Sequence, residues 1–402
     1  MSTQLHGGIS EETVRELSAD EPEWLRETRL EALAALDDLE FPSVIKTPGR
    51  KWTNLEDLDF EALVDPLAQT EQKDLEVPDD ADVEALSFEA ALEEHGDLVR
   101  ERFGSVVDPR ENRLTALSTA LFTTGTVVYV PRGVDAEAVT IRTTMSDRSL
   151  FNYTLVLAEE SASVTLLERQ SSAGDVEGER YYSGVVEVAA GENSYVQYGS
   201  LQEFDQRTYN YTHKQGRADT YATVDWVEGN LGSKLTKTTV GTDLVGDSSG
   251  TKIVGAFFGH DEQHFDLDSR VFHRAEHTTA DLVTRGVVDD RARSVYEGTQ
   301  DVGTEAWDTS SYQRENTLML SDESEADASP MLIINNHDTE ASHSATVGQV
   351  DEEDLFYMTQ HGLPRRTARN MLVEGFFVPV LEEVEVAELR EDLEERIHQR
   401  LE

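Results

Sequence analysis

The sequence contains no cysteine among its 402 residues. This absence excludes disulfides, thiolate zinc sites, a cysteine nucleophile and any iron–sulfur cluster ligated by cysteines of this chain alone. No run of about 18 apolar residues is present, so we expect no membrane-spanning helix. The N-terminal residues lack a basic segment followed by an apolar stretch, so no secretory signal is predicted and the expected location is the cytoplasm.

The signature motifs of common enzyme classes are missing as well. The sequence has no GxxxxGK[ST] phosphate-binding loop, so ATP hydrolysis by this chain is not expected. It also has neither a GxSxG nucleophile elbow nor a glycine fingerprint for dinucleotides after a strand. The chain is therefore predicted not to be a self-contained enzyme.

Basic residues are scarce, and acidic residues dominate the charge. Asp and Glu number 81 against 34 Lys and Arg, which gives a net charge of −47. The electrostatic field of so many negative charges repels nucleic acid and anionic lipid. It is typical either of a surface for a basic partner or of a whole surface adapted to high salt, where the Debye length is only about 3 Å. The acids are spread along the entire chain, which favours salt adaptation and a halophilic source.

The pattern of residues divides the chain into three predicted domains. Residues 1–115 form a helical N-terminal domain, in which the polar stretch 69–84 is interpreted as an acidic surface linker. Residues 116–345 form a β domain of short β-branched or alternating stretches separated by turn signals. Residues 346–402 are helical again. Periodicity alone does not separate a sandwich, a barrel and a parallel β-helix for the β domain.

The last predicted helix carries one apolar stripe opposite a dense Glu/Arg face. An apolar stripe of this kind must be covered, either by the core of the chain itself or by a partner protein, and the pattern leaves both open. The stripe consists of Val386, Leu389, Leu393, Ile397 and Leu401.

Histidines are the main candidates for metal ligands because cysteine is absent. His260 and His264 are four residues apart, as are His273 and His277. That spacing suits a metal site on a helix, but on a β-strand it separates the two side chains by roughly 13 Å. We therefore interpret these four histidines as polar residues on a sheet.

The segment 335–348 concentrates polar residues of the kinds that bind metals, and it contains His343. A neutral imidazole is a suitable ligand for iron, and nearby carboxylates would set its tautomer. On composition alone we interpret this segment as a capped loop.

Residues 342–377, SHSATVGQVDEEDLFYMTQHGLPRRTARNMLVEGFF, resemble the C-terminal signature of the SufB/SufD family. The segments STALFTTGTVVYVPRGV, RSVYEGTQDV and LMLSDESEADASPMLII resemble stretches of the family's β domain. DEPEWLRETRLEAL and RKWTNLEDLDF resemble its N-terminal helix and Trp-Thr motif. The resemblance covers nearly the whole chain, with residues 180–250 the least distinctive.

The resemblance implies a mainly β fold: a right-handed parallel β-helix core flanked by N-terminal and C-terminal α-helical domains. It implies a non-catalytic scaffold on which a transient iron–sulfur cluster is built. The partners that it implies are a SufB-type subunit, paired through the β-helices, and a SufC-type ATPase docked on the C-terminal helices. The resemblance leaves open whether the chain forms a homodimer when the SufB-type partner is absent.

Within the family the resemblance is to the SufD type, because a chain without cysteine cannot supply the thiolate expected of a SufB-type subunit. It assigns His343 as the cofactor and metal contact at the shared interface. Some SufD proteins have a cysteine two residues before this histidine, where the present chain has Ala341. The alternatives are a SufB-type paralogue, a purely structural dimerisation subunit, or a β-helix enzyme acting on sugars, which would need paired carboxylates.

Overall fold

The protein is described by a computed structural model covering residues 9–47, 50–56, 58–67, 71–77, 82–136, 138–174 and 176–401. The N-terminal part contains α1 (Glu11–Leu17), α2 (Glu23–Ala35), β1 (Lys46–Thr47), β2 (Arg50–Lys51), α3 (Phe60–Leu63), β3 (Glu71–Glu76), β4 (Glu84–Ser87), α4 (Phe88–Glu94), α5 (Gly96–Arg102) and α6 (Arg113–Leu121). The long β region that follows contains β5 (Thr124–Val130), β6 (Val139–Met145), β7 (Ser149–Ala158), β8 (Ser163–Ser172), β9 (Arg180–Ala190), β10 (Tyr195–Glu203), β11 (Thr208–Ala218), β12 (Thr223–Asn230), β13 (Leu235–Leu244), β14 (Gly250–Gly259), β15 (His264–His273), β16 (Thr279–Val288), β17 (Arg293–Val302), β18 (Thr309–Met319), β19 (Glu325–Ile334) and β20 (Thr339–Gln349). The chain ends with α7 (Glu352–Gln360), α8 (Arg365–Leu381) and α9 (Ala387–Leu401).

Successive long strands alternate between two nine-stranded sheets. Sheet I has the order β20-β18-β16-β14-β12-β10-β8-β6-β3, and sheet II has the order β19-β17-β15-β13-β11-β9-β7-β5-β4. Each strand from β5 onward pairs in parallel with the strand two places along the chain, as in Trp226 beside Ile253. The chain therefore coils as a β-solenoid, and the expected parallel β-helix is confirmed.

Alternation along the strands sends every second side chain into the space between the sheets. One inward column of sheet I runs through Val139, Leu166, Tyr198, Trp226, Ile253 and Leu282. All six of these side chains are buried. Because each coil buries its apolar face against the next, the strands need their neighbours for stability.

The corner before each sheet I strand from β8 to β18 contains one residue with positive φ. Ser161, Asn193 and Tyr221 occupy this position in three consecutive coils. The backbone N–H of Ser161 donates to Glu192 O, and that of Asn193 donates to Thr220 O. The sharp corner is thus held by hydrogen bonds to the next coil, which satisfy backbone groups that would otherwise lack partners.

The N-terminal end of the solenoid is covered. Strand β3 pairs antiparallel with β6, and β4 pairs antiparallel with β5, so both sheets end in a reversed strand. The interpretation of 69–84 as a linker is therefore wrong for residues 71–76 and 84, while residues 69–70 and 78–81 lie outside the described residues. Residues 1–8, used for the targeting prediction, also lie outside them.

Helices α4 and α6 lie against the outer face of sheet II at this end. Glu187, which is fully buried, ties the loop after α5 to the sheet. Its carboxylate accepts hydrogen bonds from the backbone N–H groups of Gly104, Val106 and Val107, at 2.7–2.9 Å, and from Tyr153 Oη. Removing such a carboxylate would leave several buried donors unpaired.

The C-terminal helices cover the outer face of sheet I. Leu389 and Leu393 of α9 are buried against the strands. Gly199 and Gly229 make this close approach possible, because a Cβ on Gly229 would lie 2.5 Å from Leu393 Cδ2 and one on Gly199 would overlap Leu389. The apolar stripe on α9 is thus covered by the chain itself. The alternative that a partner protein covers this stripe is therefore wrong.

Over the residues that the structure describes, no helix combines the length and apolar character needed to cross a bilayer.

Candidate functional site

The C-terminal end of the solenoid has unpaired strand edges. Within the described part of the chain, β20 is the last strand of sheet I and β19 the last of sheet II. Four apolar side chains here are 38–46% exposed: Met331, Ile333, Ile334 and Val347. An edge with free N–H and C=O groups beside apolar side chains is suited to pairing with another chain. We refer to this end, formed by β19 and β20, as the open end.

His343 lies at the open end on strand β20. Its partner in the strand register is Gln313, which continues the inward column that begins with Val139. The alternation of β18 confirms the direction, because Gln313 is buried whereas Arg314 is exposed. His343 therefore faces the space between the sheets, yet it is exposed because no further coil covers it among the described residues.

Directly beneath the open end lies a polar cluster that we call the inner cluster, formed by Gln300, Gln313, Glu315 and Thr317. Gln300 Nε2 donates to Gln313 Oε1 at 3.2 Å, and Thr317 Oγ1 donates to Glu315 Oε1. Three of its atoms have no hydrogen-bond partner among the described residues: Gln300 Oε1, Gln313 Nε2 and Glu315 Oε2. Unsatisfied buried polar atoms are uncommon in folded proteins and mark sites for water, an ion or chemistry.

The carboxyl group of Glu315 is only 1% exposed. Burial raises its pKa to about 7, against the smaller lowering by the hydrogen bond from Thr317. Glu315 belongs to a second inward column of sheet I, next to the one that begins with Val139. Three coils earlier this second column contains Glu228, whose carboxylate lies 2.8 Å from Lys214 Nζ. Glu228 is neutralised by its lysine, whereas no cation contributes to the pKa of Glu315.

The two predicted histidine pairs do not form metal sites among the described residues. His264 is bonded to Thr53 Oγ1 at 3.1 Å, and His273 lies between the hydroxyls of Thr278 and Ser311. Burial lowers the pKa of both imidazoles to about 4.

His260 and His277 lie in turns rather than on strands. His260 Nδ1 is 2.8 Å from Asp261, and His277 Nδ1 is 2.8 Å from Asp308. The four histidines therefore have separate polar partners, but the interpretation of polar residues on a sheet holds only for His264 and His273 and is wrong for His260 and His277.

A group missed by the sequence analysis lies at the covered end. Glu84, Glu94 and His95 place their ligand atoms within 4.8 Å of one another. Glu84 Oε2 is already hydrogen-bonded to His95 Nε2 at 2.6 Å. Glu84 lies on strand β4, before α4, so the three residues have no regular spacing along the chain. Sequence spacing therefore could not identify the group.

Comparison with known families shows where the chain belongs. Residues 141–376 match the model for "SUF system FeS cluster assembly, SufBD core domain", and residues 53–141 match the "SufBD protein N-terminal region". The core match alone spans more than half of the chain. The chain belongs to the SufBD family.

Relatives within the SufBD family align over nearly their full length. The chain is 30% identical to the iron–sulfur cluster assembly protein SufD of Bacillus subtilis, over 93% of both proteins. It is 28% identical to an iron–sulfur cluster assembly SufBD family protein of Staphylococcus epidermidis, covering 94% of this chain and 90% of that one. Identity to SufB of Bacillus subtilis is 26%, with the same two coverages.

Proposed function

We propose that the chain is a SufD-type scaffold subunit on which iron–sulfur clusters are built, and that its open end pairs with a SufB-type subunit. The observation that carries this proposal is His343, an inward-facing yet uncovered imidazole at an unpaired strand edge. A partner chain adding strands to β19 and β20 would enclose that imidazole in a shared interior. The absence of cysteine from this chain assigns the thiolate ligands to the partner.

In this proposal His343 binds iron while sulfide arrives. A neutral imidazole is a good ligand for iron, and its exposed edge is free to receive the metal before the partner closes over it. The chain would hold the iron in place and would not hydrolyse ATP, because it has no phosphate-binding loop. ATP hydrolysis would belong to a SufC-type partner. The proposed location is the cytoplasm.

The decisive experiment is co-purification in high salt with the SufB-type and SufC-type proteins of the same organism, followed by anaerobic reconstitution with iron and sulfide. We expect a stable complex in which His343→Ala removes most of the cluster absorbance. His337→Ala is the matched control, because His337 lies at the same end but packs edge-on against Trp307 at 5.1 Å.

Full absorbance in the His343→Ala complex would favour the alternative of a purely structural dimerisation subunit. Failure of the three proteins to associate would contradict the scaffold itself. A thiolate-supplying role, as in a SufB-type paralogue, is disfavoured by the missing cysteine.

For the SufC-type ATPase we propose a docking face on α7 and α8 instead of the buried stripe of α9. Phe356 and Tyr357 of α7 are 62% and 65% exposed, and Met371 and Val378 of α8 are nearly half exposed. Large exposed apolar side chains in one C-terminal region are typical of a protein interface.

We expect the double change Phe356→Ala and Tyr357→Ala to lose the ATPase from the purified complex while the SufB-type subunit is retained. The reason is that aromatic side chains supply much of the binding free energy in interfaces. Retention of the ATPase at wild-type stoichiometry, measured by size-exclusion chromatography, would show that Phe356 and Tyr357 are not part of the docking face.

A further inference from the structure

Glu315 is a buried acid with no cation to neutralise it. Its Oε1 accepts a hydrogen bond from Thr317, and its Oε2 has no partner. A carboxylate in such surroundings is costly to ionise, whereas Glu228, three coils earlier on the same inward face, is paired with Lys214. A buried acid without a neighbouring cation, close to a proposed functional site, is a candidate for chemistry.

The position of Glu315 connects it with the open end. It lies on β18, one strand in from the edge, and its partner in the register on β20 is Ala345. His343 is two residues before Ala345 on the same inward face, so the Cα atoms of Glu315 and His343 are about 8 Å apart, from a strand spacing of about 4.8 Å and a rise of about 3.3 Å per residue. The residue next to Glu315 on the edge strand is thus an alanine, whose side chain is only a methyl group.

The other members of the inner cluster can carry a proton relay. Gln300 Oε1 and Gln313 Nε2 offer an unpaired acceptor and an unpaired donor, and Gln313 is two residues before Glu315 on the inward face of β18. A water molecule needs two to four such partners to be held in a protein interior. Gln313 is also the direct strand neighbour of His343, so ordered water here would link the inner cluster with the imidazole.

We propose that Glu315 is the proton acceptor of this site and takes up the proton that hydrosulfide releases when it binds iron beside His343. This inference rests on the proposed function. In the step, sulfur donates a lone pair to iron, the S–H bond breaks with its electron pair left on sulfur, and the proton passes through water to the Glu315 carboxylate. No atom is oxidised or reduced, and the resulting carboxylic acid is neutral.

The acid–base properties of Glu315 suit this task. Burial raises its pKa to about 7, so near neutral pH the group can both accept a proton and release it again. The titratable groups that face this part of the interior are Tyr296 of β17 and, at the edge, His343. Thr284 and Thr317, the neighbours of Glu315 on sheet I, do not titrate.

The test uses the complete complex and Glu315→Gln, which keeps the shape of the side chain but cannot accept the proton. We expect the rate of anaerobic cluster formation to rise with pH through about 7 in the wild type. In Glu315→Gln the rate should fall at least tenfold and lose this inflection, with subunit association unchanged. Glu323→Gln, in the exposed turn before β19, is the control. An unchanged rate and pH profile in Glu315→Gln would overturn the proposal.

A second measurement addresses the residue directly. Infrared difference spectra of the isolated chain should show a carboxyl band that titrates near pH 7 and is missing from Glu315→Gln. The absence of such a band from the wild type would overturn the proposal even if the variant complex were slow. A wild-type complex that builds no cluster would overturn the proposed function and this inference together, whereas assembly that needs His343 but not Glu315 would overturn this inference alone.

Discussion

The two ends of the solenoid are built in opposite ways. At the N-terminal end both sheets finish in reversed strands, β3 and β4, and helices pack over sheet II. The interior there combines apolar side chains such as Val139 and Val156 with uncharged polar ones such as Thr126. At the open end β19 and β20 have unpaired edges among the described residues, and the interior beneath them is the polar inner cluster.

This difference indicates that the two ends have different tasks. Exposed strand edges invite aggregation, and proteins usually cover or twist them. The chain covers one end and leaves the other with an exposed histidine and exposed apolar side chains. We infer that the covered end provides stability and that the open end is completed only in an assembly.

Lowering the salt concentration should have the largest effect and should separate the two ends. With a net charge of −47, the repulsion is screened at molar salt but acts over about 10 Å at 0.1 M. We expect cooperative loss of the far-UV circular dichroism signal between molar and millimolar salt. Amides of β19 and β20 should lose protection from hydrogen exchange before those of β5 and β7.

A circular dichroism signal that stays constant over this salt range would contradict the interpretation of the acidic surface as salt adaptation. Equal loss of protection at both ends would contradict the difference in their stability.

Shortening one apolar side chain at each end of the solenoid should show how the two ends differ in their contribution to stability. Leu155→Ala at the covered end removes a fully buried side chain, so the free energy of unfolding should fall by about 2–5 kcal/mol. Val347→Ala at the open end alters a side chain that is 38% exposed, and the isolated chain should change by about 0.5 kcal/mol or less. Chemical denaturation in high salt measures both values.

The same Val347→Ala change should weaken association with the SufB-type subunit, and Leu155→Ala should not do so under conditions where it is folded. If Val347→Ala destabilised the isolated chain as strongly as Leu155→Ala, the open end would already be a closed core.

The pH dependence of stability tests the polar interior beneath the open end through Glu315, with an expected change of the same order as that of Leu155→Ala. Its folded-state pKa of about 7 lies above the usual 4.5, so unfolding releases a proton between these values and stability falls as pH rises through that window. The resulting loss is about 3 kcal/mol above pH 7, at about 1.4 kcal/mol per pKa unit. Glu315→Gln should therefore be more stable than the wild type at pH 8, and the advantage should vanish near pH 4.5. Equal stability of the two proteins at every pH would show that Glu315 ionises without cost.

Much of the architecture is visible in local patterns. The β-branched stretches between residues 116 and 345 and the helical spacing of Leu389, Leu393 and Ile397 predict the element types. Membership of the family follows from the linked motifs. The parallel coil itself does not follow from alternation, because pairing Trp226 with Ile253 is a contact between distant residues that periodicity leaves undetermined.

The parts that local patterns missed also depend on distant pairing. Glu71–Glu76 is too acidic to signal a strand, and it becomes one because the first long strand of sheet I offers it an edge. The cover of α9 depends on Gly199 and Gly229, nearly 200 residues earlier. The role suggested for Glu315 requires the register with Ala345 as well as the buried alternation of β18. His343 was recognised through resemblance, and its metal role stays a prediction.

The packing of α9 on sheet I has a consequence for how the protein is made. A ribosome synthesises all the strands before it synthesises α9, and domains begin to fold during synthesis. Until α9 emerges, the apolar surface around Leu201 and Val227 therefore has no cover from Leu393. A chain in which α9 has not yet been made would expose this surface to chaperones and proteases, and the exposure ends only when α9 packs against sheet I.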